Sequence, residues 1–248
     1  IKHTLCDYAL TPDVSIVDDQ FVQTLPKRLI AWSGFEALGH AIESYVSTMA
    51  TDFTRGWSLE AIKTIFANLK KSYDGDLDAR KQMHDAATIA GMAYSNAFLG
   101  LEHSIAHTVG STFNIPSGVS DAIALPQVIR FNSKRPEKLA MWPHYSVYRA
   151  KSDYADIARA IGLTGSSDDE LVEKLVQKII DLAESVGIKM AYKGYGVDKA
   201  EFDKKVDELA VEAYGDQNTV TNPTAPLISQ IIQLMKDCYE GKGIVNNK

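Results

Sequence analysis

Two stretches of sequence decide the fold and the chemistry of this chain: GFEALGHAIESYV at residues 34–46 and GLEHSIAHTVGSTFNIPSG at residues 100–118. Glu36 and His40 are four residues apart in the first, and His103 and His107 are four apart in the second. This spacing puts both members of a pair on one helix face. Two such helices, each with an apolar background, can therefore bring four polar side chains together.

The chemistry of these four side chains favours a metal site. Imidazole and carboxylate groups are suitable ligands for a divalent transition metal such as Fe(II) or Zn(II). The alternative is structural: Glu36 lies near a helix start and is partly solvated, while the histidines are core residues that bond to backbone or water. The spacing alone leaves both interpretations open.

The rest of the chain is mainly helical in pattern. The β-branched residues Val14, Ile16 and Val17 predict a strand in the lead-in, residues 1–24. Helical periodicity follows, with a capping box at Ser167 and Glu170, and gives about nine helices in all. The segments with the clearest helical periodicity are 27–45, 52–72, 77–98, 101–113, 120–132, 171–187, 199–213 and 226–239. Strands and helices do not alternate, and there is no GxGxxG motif, so we expect no doubly wound dinucleotide-binding sheet.

Composition narrows the classes of function. The chain has 248 residues and a formal net charge of −6, which disfavours nucleic acid and anionic membrane surfaces as partners. No run approaches the roughly 20 apolar residues that span a bilayer. Cys6 and Cys238 have no disulfide or zinc-site spacing, so a reducing, cytoplasmic setting fits best. Because the chain opens on Ile1, we expect a piece of a longer protein.

The motifs also resemble those of a known family. GFEALGHAIESYV is similar to the GxDALTHAxExY segment of the iron-dependent alcohol dehydrogenases, and GLEHSIAHTVG with IPSG is similar to their GxxHxxAHxxGxxxxxPHG segment. DYALTPDVSIVD and DQNTVTNPTAPLISQI extend the resemblance over nearly the whole chain, which looks most like the alcohol dehydrogenase part of bifunctional aldehyde-alcohol dehydrogenases.

The resemblance implies a fold and a domain organisation. The whole chain would be the dehydroquinate synthase-like helical domain, which binds metal and substrate and follows a nucleotide-binding domain that this sequence lacks. Within it we expect a lead-in at residues 1–24, a helical subdomain at 25–134 that contains the metal motifs, and a second helical subdomain at 135–248. Most of the NAD site would then lie on the missing domain, and no NAD-binding residue is identified here.

The resemblance also implies site residues. His40 and His103 match ligand histidines, and Glu36 stands where the family has a ligand Asp. Ser117 stands in place of the fourth ligand, a histidine, and a neutral hydroxyl is a poor ligand for a divalent ion. His107 matches a histidine that faces the cleft, so its expected role is catalytic, in proton relay or substrate orientation, with substitution for the missing ligand as a further hypothesis.

Smaller departures from the family pattern occur at Gly39, Asn218 and Thr224, where relatives often carry Thr, Cys and Arg.

Two functional interpretations follow. The first is an oxidoreductase domain that interconverts a primary alcohol and its aldehyde, using NAD, Fe(II) or Zn(II) and the missing domain. The second is a degenerate or truncated, metal-poor relative that serves as a scaffold or oligomerisation domain. A helical metal-binding module unrelated to dehydrogenases is a third, weaker interpretation. In each case we expect the isolated chain to self-associate, because the face left by the missing domain would be exposed.

Overall fold

The computed structural model of the protein describes residues 7–134 and 148–243, and over these ranges the chain forms nine α-helices. The prediction of a mainly α fold with about nine helices is therefore confirmed. The helices are α1 (Lys27–Val46), α2 (Asp52–Asp74), α3 (Leu77–Ala97), α4 (Leu101–Phe113), α5 (Ser117–Asn132), α6 (Ala150–Ala160), α7 (Asp168–Ser185), α8 (Lys199–Gly215) and α9 (Ile228–Glu240). Short 3-10 helices lie at Tyr8–Leu10, Asp19–Val22, Tyr192–Tyr195 and Gln217–Thr221.

The predicted strand in the lead-in is wrong for the part that the structure describes. From residue 7 onward, the segment up to α1 contains the first two 3-10 helices and no strand. Val14, Ile16 and Val17 are 77%, 87% and 42% exposed. β-branched residues favour a strand only where a neighbouring strand or a packed face can receive them, and the described residues provide neither at this segment.

The predicted helix ends lie within three residues of the observed ones, and α5 begins at Ser117 instead of residue 120. The cap of α7 differs from the predicted capping box. Ser167 accepts a hydrogen bond from the Glu170 amide at 3.2 Å, as the capping box requires. The Glu170 carboxylate accepts from the Ser166 amide at 2.8 Å instead of from Ser167. Two consecutive serines therefore form the cap. The Ser167 side chain accepts from a backbone amide of α7, and the Ser166 backbone amide donates to the Glu170 side chain.

Two buried hydrophobic clusters form the interior of the described chain. The first is built from α1, α2 and α3 with α6 and α7, and the second from α4, α8 and α9. Helix α5 joins the two, since Ala122, Leu125 and Ile129 belong to the first and Val119, Ile123 and Val128 to the second. Each cluster draws on both sides of residue 134, and the subdomain boundary there stays a prediction. Among the described residues, no helix is long and apolar enough to cross a membrane.

A glycine sets how closely α5 approaches α1. A Cβ atom placed on Gly118 would lie 1.8 Å from the backbone oxygen of Trp32, which is in α1. Such an overlap can be relieved only by moving one helix backbone away from the other. Ser117, which precedes this glycine, is thereby held against α1.

We expect Gly118→Ala to lower the free energy of unfolding by about 3 kcal/mol or more, because it overpacks a backbone contact. Gly56→Ala is the matched control: Gly56 is an exposed glycine inside α2 with no atom within 4 Å of the added Cβ. That control should stabilise the protein by about 0.5 to 1 kcal/mol through helix propensity. Chemical denaturation measures both variants, and equal effects would contradict the close approach of α1 and α5.

Candidate functional site

The predicted site residues converge where α1, α4 and the start of α5 meet. The rings of His40 and His103 are stacked, with centroids 4.8 Å apart and planes inclined by 17°. The His107 ring stands edge-on to His103 at 5.9 Å. His40 also stacks on Tyr94 of α3, at 4.3 Å between centroids. The spacing predicts that the two members of each pair share one helix face, and the packing of the helices brings the rings of His40, His103 and His107 together.

Ser117 contacts Glu36 directly. Its hydroxyl donates a hydrogen bond of 3.0 Å to Oε2 of Glu36. Both residues are partly exposed, so they form the outer side of the cluster. Ser117, which stands at the position of the family's fourth ligand, thus faces the site, but its hydroxyl is hydrogen-bonded to a neighbouring carboxylate.

A buried carboxylate, Glu43 of α1, connects α1 to the start of α4. It accepts hydrogen bonds from the backbone amides of Gly100 at 2.7 Å, Glu102 at 2.8 Å and His103 at 3.4 Å. Amides at a helix N-terminus favour a negative charge. A Cβ on Gly100 would lie 2.7 Å from Oε1 of Glu43, so only glycine permits this approach.

Glu43 also orients His103. Its Oε2 lies 2.9 Å from Nδ1 of the imidazole. A carboxylate on one ring nitrogen fixes the ring and leaves the other nitrogen for a ligand. Nε2 of His103 is buried and has no hydrogen-bond partner. This arrangement is typical of a metal-binding histidine.

Two further carboxyl groups lie beside His103, on Glu102 of α4 and Asp121 of α5. Glu102 is fully buried, and its Oε2 is 2.6 Å from Nδ1 of His103. Glu43, Glu102 and His103 place three potential ligand atoms within 4.8 Å of one another. Asp121 is 1% exposed and faces Glu102, so that a hydrogen bond between the two carboxyl groups requires a proton on one of them.

Burial governs the ionisation of this cluster. It raises the pKa of Asp121 well above its ordinary value, and the charge of Glu102 raises it further. It also raises the pKa of Glu102. For His103, burial lowers the pKa, but the charges of Glu102 and Asp121 outweigh it and the pKa ends well above the ordinary value. The metal-free cluster therefore holds protons tightly.

His107 has its own carboxylate neighbour, Asp216, between α8 and the last 3-10 helix. The distance from Nδ1 of His107 to Oδ2 of Asp216 is 3.5 Å, and Oδ1 accepts from the Asn218 amide at 2.8 Å. Burial raises the pKa of Asp216, but the hydrogen bonds from His107 and Asn218 lower it by more. The sequence segment that starts DQN thus supplies a residue that orients His107.

Sequence reasoning missed four acidic residues at this site: Glu43, Glu102, Asp121 and Asp216. Helical spacing could have found two of them. Glu43 is three residues after His40, and Asp121 is four after Ser117, so each shares a helix face with a residue already singled out. The proximity of Glu102 and Asp216 arises from the packing of separate segments, which periodicity does not report.

Asp121→Asn should raise the free energy of unfolding of the metal-free protein at neutral pH by about 1 to 3 kcal/mol, since it removes a buried acidic group that lies against the carboxyl group of Glu102. A raised folded-state pKa means that stability from Asp121 is present below its unfolded pKa and is lost as pH rises through the folded value. The gain in the variant should therefore shrink as pH falls below about 4. Denaturant titrations at both pH values test this, and a less stable variant at neutral pH would disprove it.

Comparisons with known proteins identify the family of this chain. Residues 30–239 match the Fe-containing alcohol dehydrogenase family, C-terminal. The chain is 45% identical over 238 residues to aldehyde-alcohol dehydrogenase 2 of Entamoeba histolytica, covering 96% of this chain and 27% of that protein.

Two further relatives are covered over a larger share of their own length. The NADPH-dependent butanol dehydrogenase of Clostridium saccharobutylicum is 44% identical, with 97% of this chain and 58% of that protein covered. The iron-containing alcohol dehydrogenase structure from Thermococcus thioreducens superimposes with a TM-score of 0.83 and 33% identity, over 95% of this chain and 57% of that one. The chain spans about a quarter to three-fifths of the length of these relatives. It belongs to the iron-containing alcohol dehydrogenase family and matches the C-terminal part of that family's proteins.

Proposed function

We propose that this chain is the metal- and substrate-binding domain of an oxidoreductase that interconverts a primary alcohol and its aldehyde. In this proposal NAD carries the hydride, and most of its site lies on a nucleotide-binding domain outside this sequence. The single observation that carries the proposal is the unpartnered, buried Nε2 of His103 beside His40. The proposed type of reaction rests on family membership. Which alcohol is the substrate depends on the shape of the complete cleft.

The donor set supports a divalent metal, Fe(II) or Zn(II), at Glu36, His40 and His103. Two imidazoles and one carboxylate match the 2-His-1-carboxylate combination that binds Fe(II) and leaves coordination positions open. Ser117 is not counted as a donor, because its hydroxyl is bonded to Glu36. When bound, such a metal acts as a Lewis acid that stabilises negative charge on the substrate oxygen.

Several side chains of this chain have distinct roles in the proposed reaction. Glu43 holds Nδ1 of His103, so that Nε2 is fixed in direction before any ligand binds. His107, 11% exposed at its side chain and held by Asp216, is the proposed catalytic residue that relays the proton of the alcohol hydroxyl or orients the substrate. His107 as a substitute metal ligand stays an open hypothesis.

A second candidate function follows from Ser117. With the fourth ligand position taken up by a hydrogen bond to Glu36, the chain could be a metal-poor member of the family that acts as a scaffold or oligomerisation domain. Self-association of the isolated chain stays a prediction under both proposals. The two are separated by whether the chain retains metal.

We expect the protein to bind about one equivalent of Fe(II) or Zn(II), measured by elemental mass spectrometry after anaerobic soaking and desalting. His103→Ala should reduce this to near zero, because it removes the most enclosed donor. His84→Ala is the control, since His84 lies on α3 and outside the predicted ligand set. Binding near zero in the unsubstituted protein would favour the scaffold over the oxidoreductase.

A further inference from the structure

Arg80, near the start of α3, is a buried cation without a carboxylate partner. Its side chain is 8% exposed, and no other lysine or arginine in the described ranges is buried. Four other arginines of these ranges form salt bridges with carboxylates: Arg55, Arg130, Arg149 and Arg159. Arg80 bonds instead to backbone carbonyls, so its charge is not balanced by an acidic side chain of the described chain. A buried charge of this kind favours a counter-ion.

The structural role of Arg80 accounts for only part of its guanidinium. One terminal nitrogen donates to the carbonyl of Gln23 in the lead-in, and the other donates to the carbonyl of Ser72 in α2 at 2.9 Å. Nε is buried and has no hydrogen-bond partner. The hydroxyl of Ser72, which is 0% exposed, has no partner either. Two buried donors are therefore left unsatisfied next to each other.

Both residues line a cavity between the lead-in and the first three helices. The volume of this cavity is about 190 Å³, more than the roughly 10 to 15 Å³ that one water molecule requires on the same measure. It therefore has room for a molecule of several heavy atoms. Ser33 and His84 are further polar residues of its lining. Its apolar walls are formed by Val22, Leu25, Ile30, Met83 and Ala87.

The composition of the lining indicates the class of ligand. An arginine N–H and a serine O–H both donate to carboxylate oxygens, and a charged acceptor makes such bonds stronger. One arginine balances one negative charge, so a monoanion fits better than a dianion. The apolar walls favour a ligand that also has a short hydrocarbon chain.

This cavity is separate from the candidate metal site. His84 lies ten residues before Tyr94 on α3, which corresponds to about 15 Å along a helix. It is Tyr94 that stacks on His40. A ligand in the cavity would therefore bind without contact with the predicted metal ligands.

We propose that this cavity binds a short-chain monocarboxylate of the size of butyrate. Its carboxylate accepts hydrogen bonds from Nε of Arg80 and from the hydroxyl of Ser72, and its alkyl chain packs against the apolar walls. The site uses neither metal nor hydride transfer, so the inference goes beyond the proposed function and does not depend on it. The bound anion would also join the lead-in to α2 and α3, whose residues line the same cavity.

The first experiment detects the ligand at the cavity itself. The metal-free chain, labelled with ¹³C at its methionine methyl groups, is titrated with sodium butyrate at constant ionic strength and observed by NMR. We expect the Met83 methyl signal to shift and saturate, with a dissociation constant of about 1 mM. Met235, which belongs to the other hydrophobic cluster, is the internal reference and should not shift.

Two further probes test the chemistry of recognition. Butyramide has the shape of butyrate without its charge, and sulfate has charge without an alkyl chain. We expect neither to shift the Met83 signal as butyrate does. A Met83 signal that stays unchanged in butyrate up to about 50 mM overturns the proposal. An equal response to butyramide or to sulfate overturns the assignment to a monocarboxylate.

The second experiment measures butyrate affinity in variants that leave Arg80 and its backbone bonds in place. Ser72→Ala removes one donor, and Ala87→Leu narrows the cavity at an exposed position of its lining. We expect the dissociation constant to rise about 10-fold or more in each. Ala67→Leu is the matched control, an exposed alanine of α2 outside the lining, and should bind as the unsubstituted protein does. Circular dichroism verifies folding, and unchanged affinity in Ser72→Ala or Ala87→Leu overturns the proposal.

Discussion

The hydrogen bonds between the Glu43 carboxylate and the first amides of α4 are the interaction on which the rest of the site depends. They place a negative charge at a helix N-terminus, where three backbone amides converge on it. The same carboxylate holds Nδ1 of His103. One buried group therefore fixes both the position of α4 relative to α1 and the direction of the imidazole.

Glycines permit this arrangement at two points around the site. Gly100 lets the Glu43 carboxylate reach the start of α4, and Gly118 lets α5 approach the backbone of α1. Without these close approaches the three helices could not bring His40, His103 and Asp121 to one region. Packing between helices, more than any single helix, thus determines the geometry of the candidate metal site.

Sequence patterns predicted the helices and the two i, i+4 pairs because both depend on local spacing. Apolar periodicity and caps located α1 to α5 within a few residues, and the i, i+4 rule put each pair on one helix face, while the stacking of His40 on His103 results from packing between helices. The strand at Val14 failed because strand formation depends on a partner that the sequence pattern does not report. The burial of Glu102 was missed for a similar reason, since it results from the contact with Gly39 on another helix.

This chain differs from a family member that has only lost one ligand. It has a serine at position 117, and its interior also contains additional acidic residues. The hydroxyl of Ser117 is bonded to Glu36, and the buried carboxyl groups of Glu102 and Asp121 lie near His103. A scaffold without metal would retain buried acidic groups that lower its stability with no compensating function. This is a physical reason to prefer the oxidoreductase proposal over the scaffold.

The most direct measurement is anomalous X-ray diffraction from crystals of the protein soaked in Zn(II). We expect one strong anomalous peak about 2 Å from Nε2 of His103, the usual zinc–nitrogen distance. A peak that is absent, or that lies away from His103, would contradict the claim that this chain retains a metal centre.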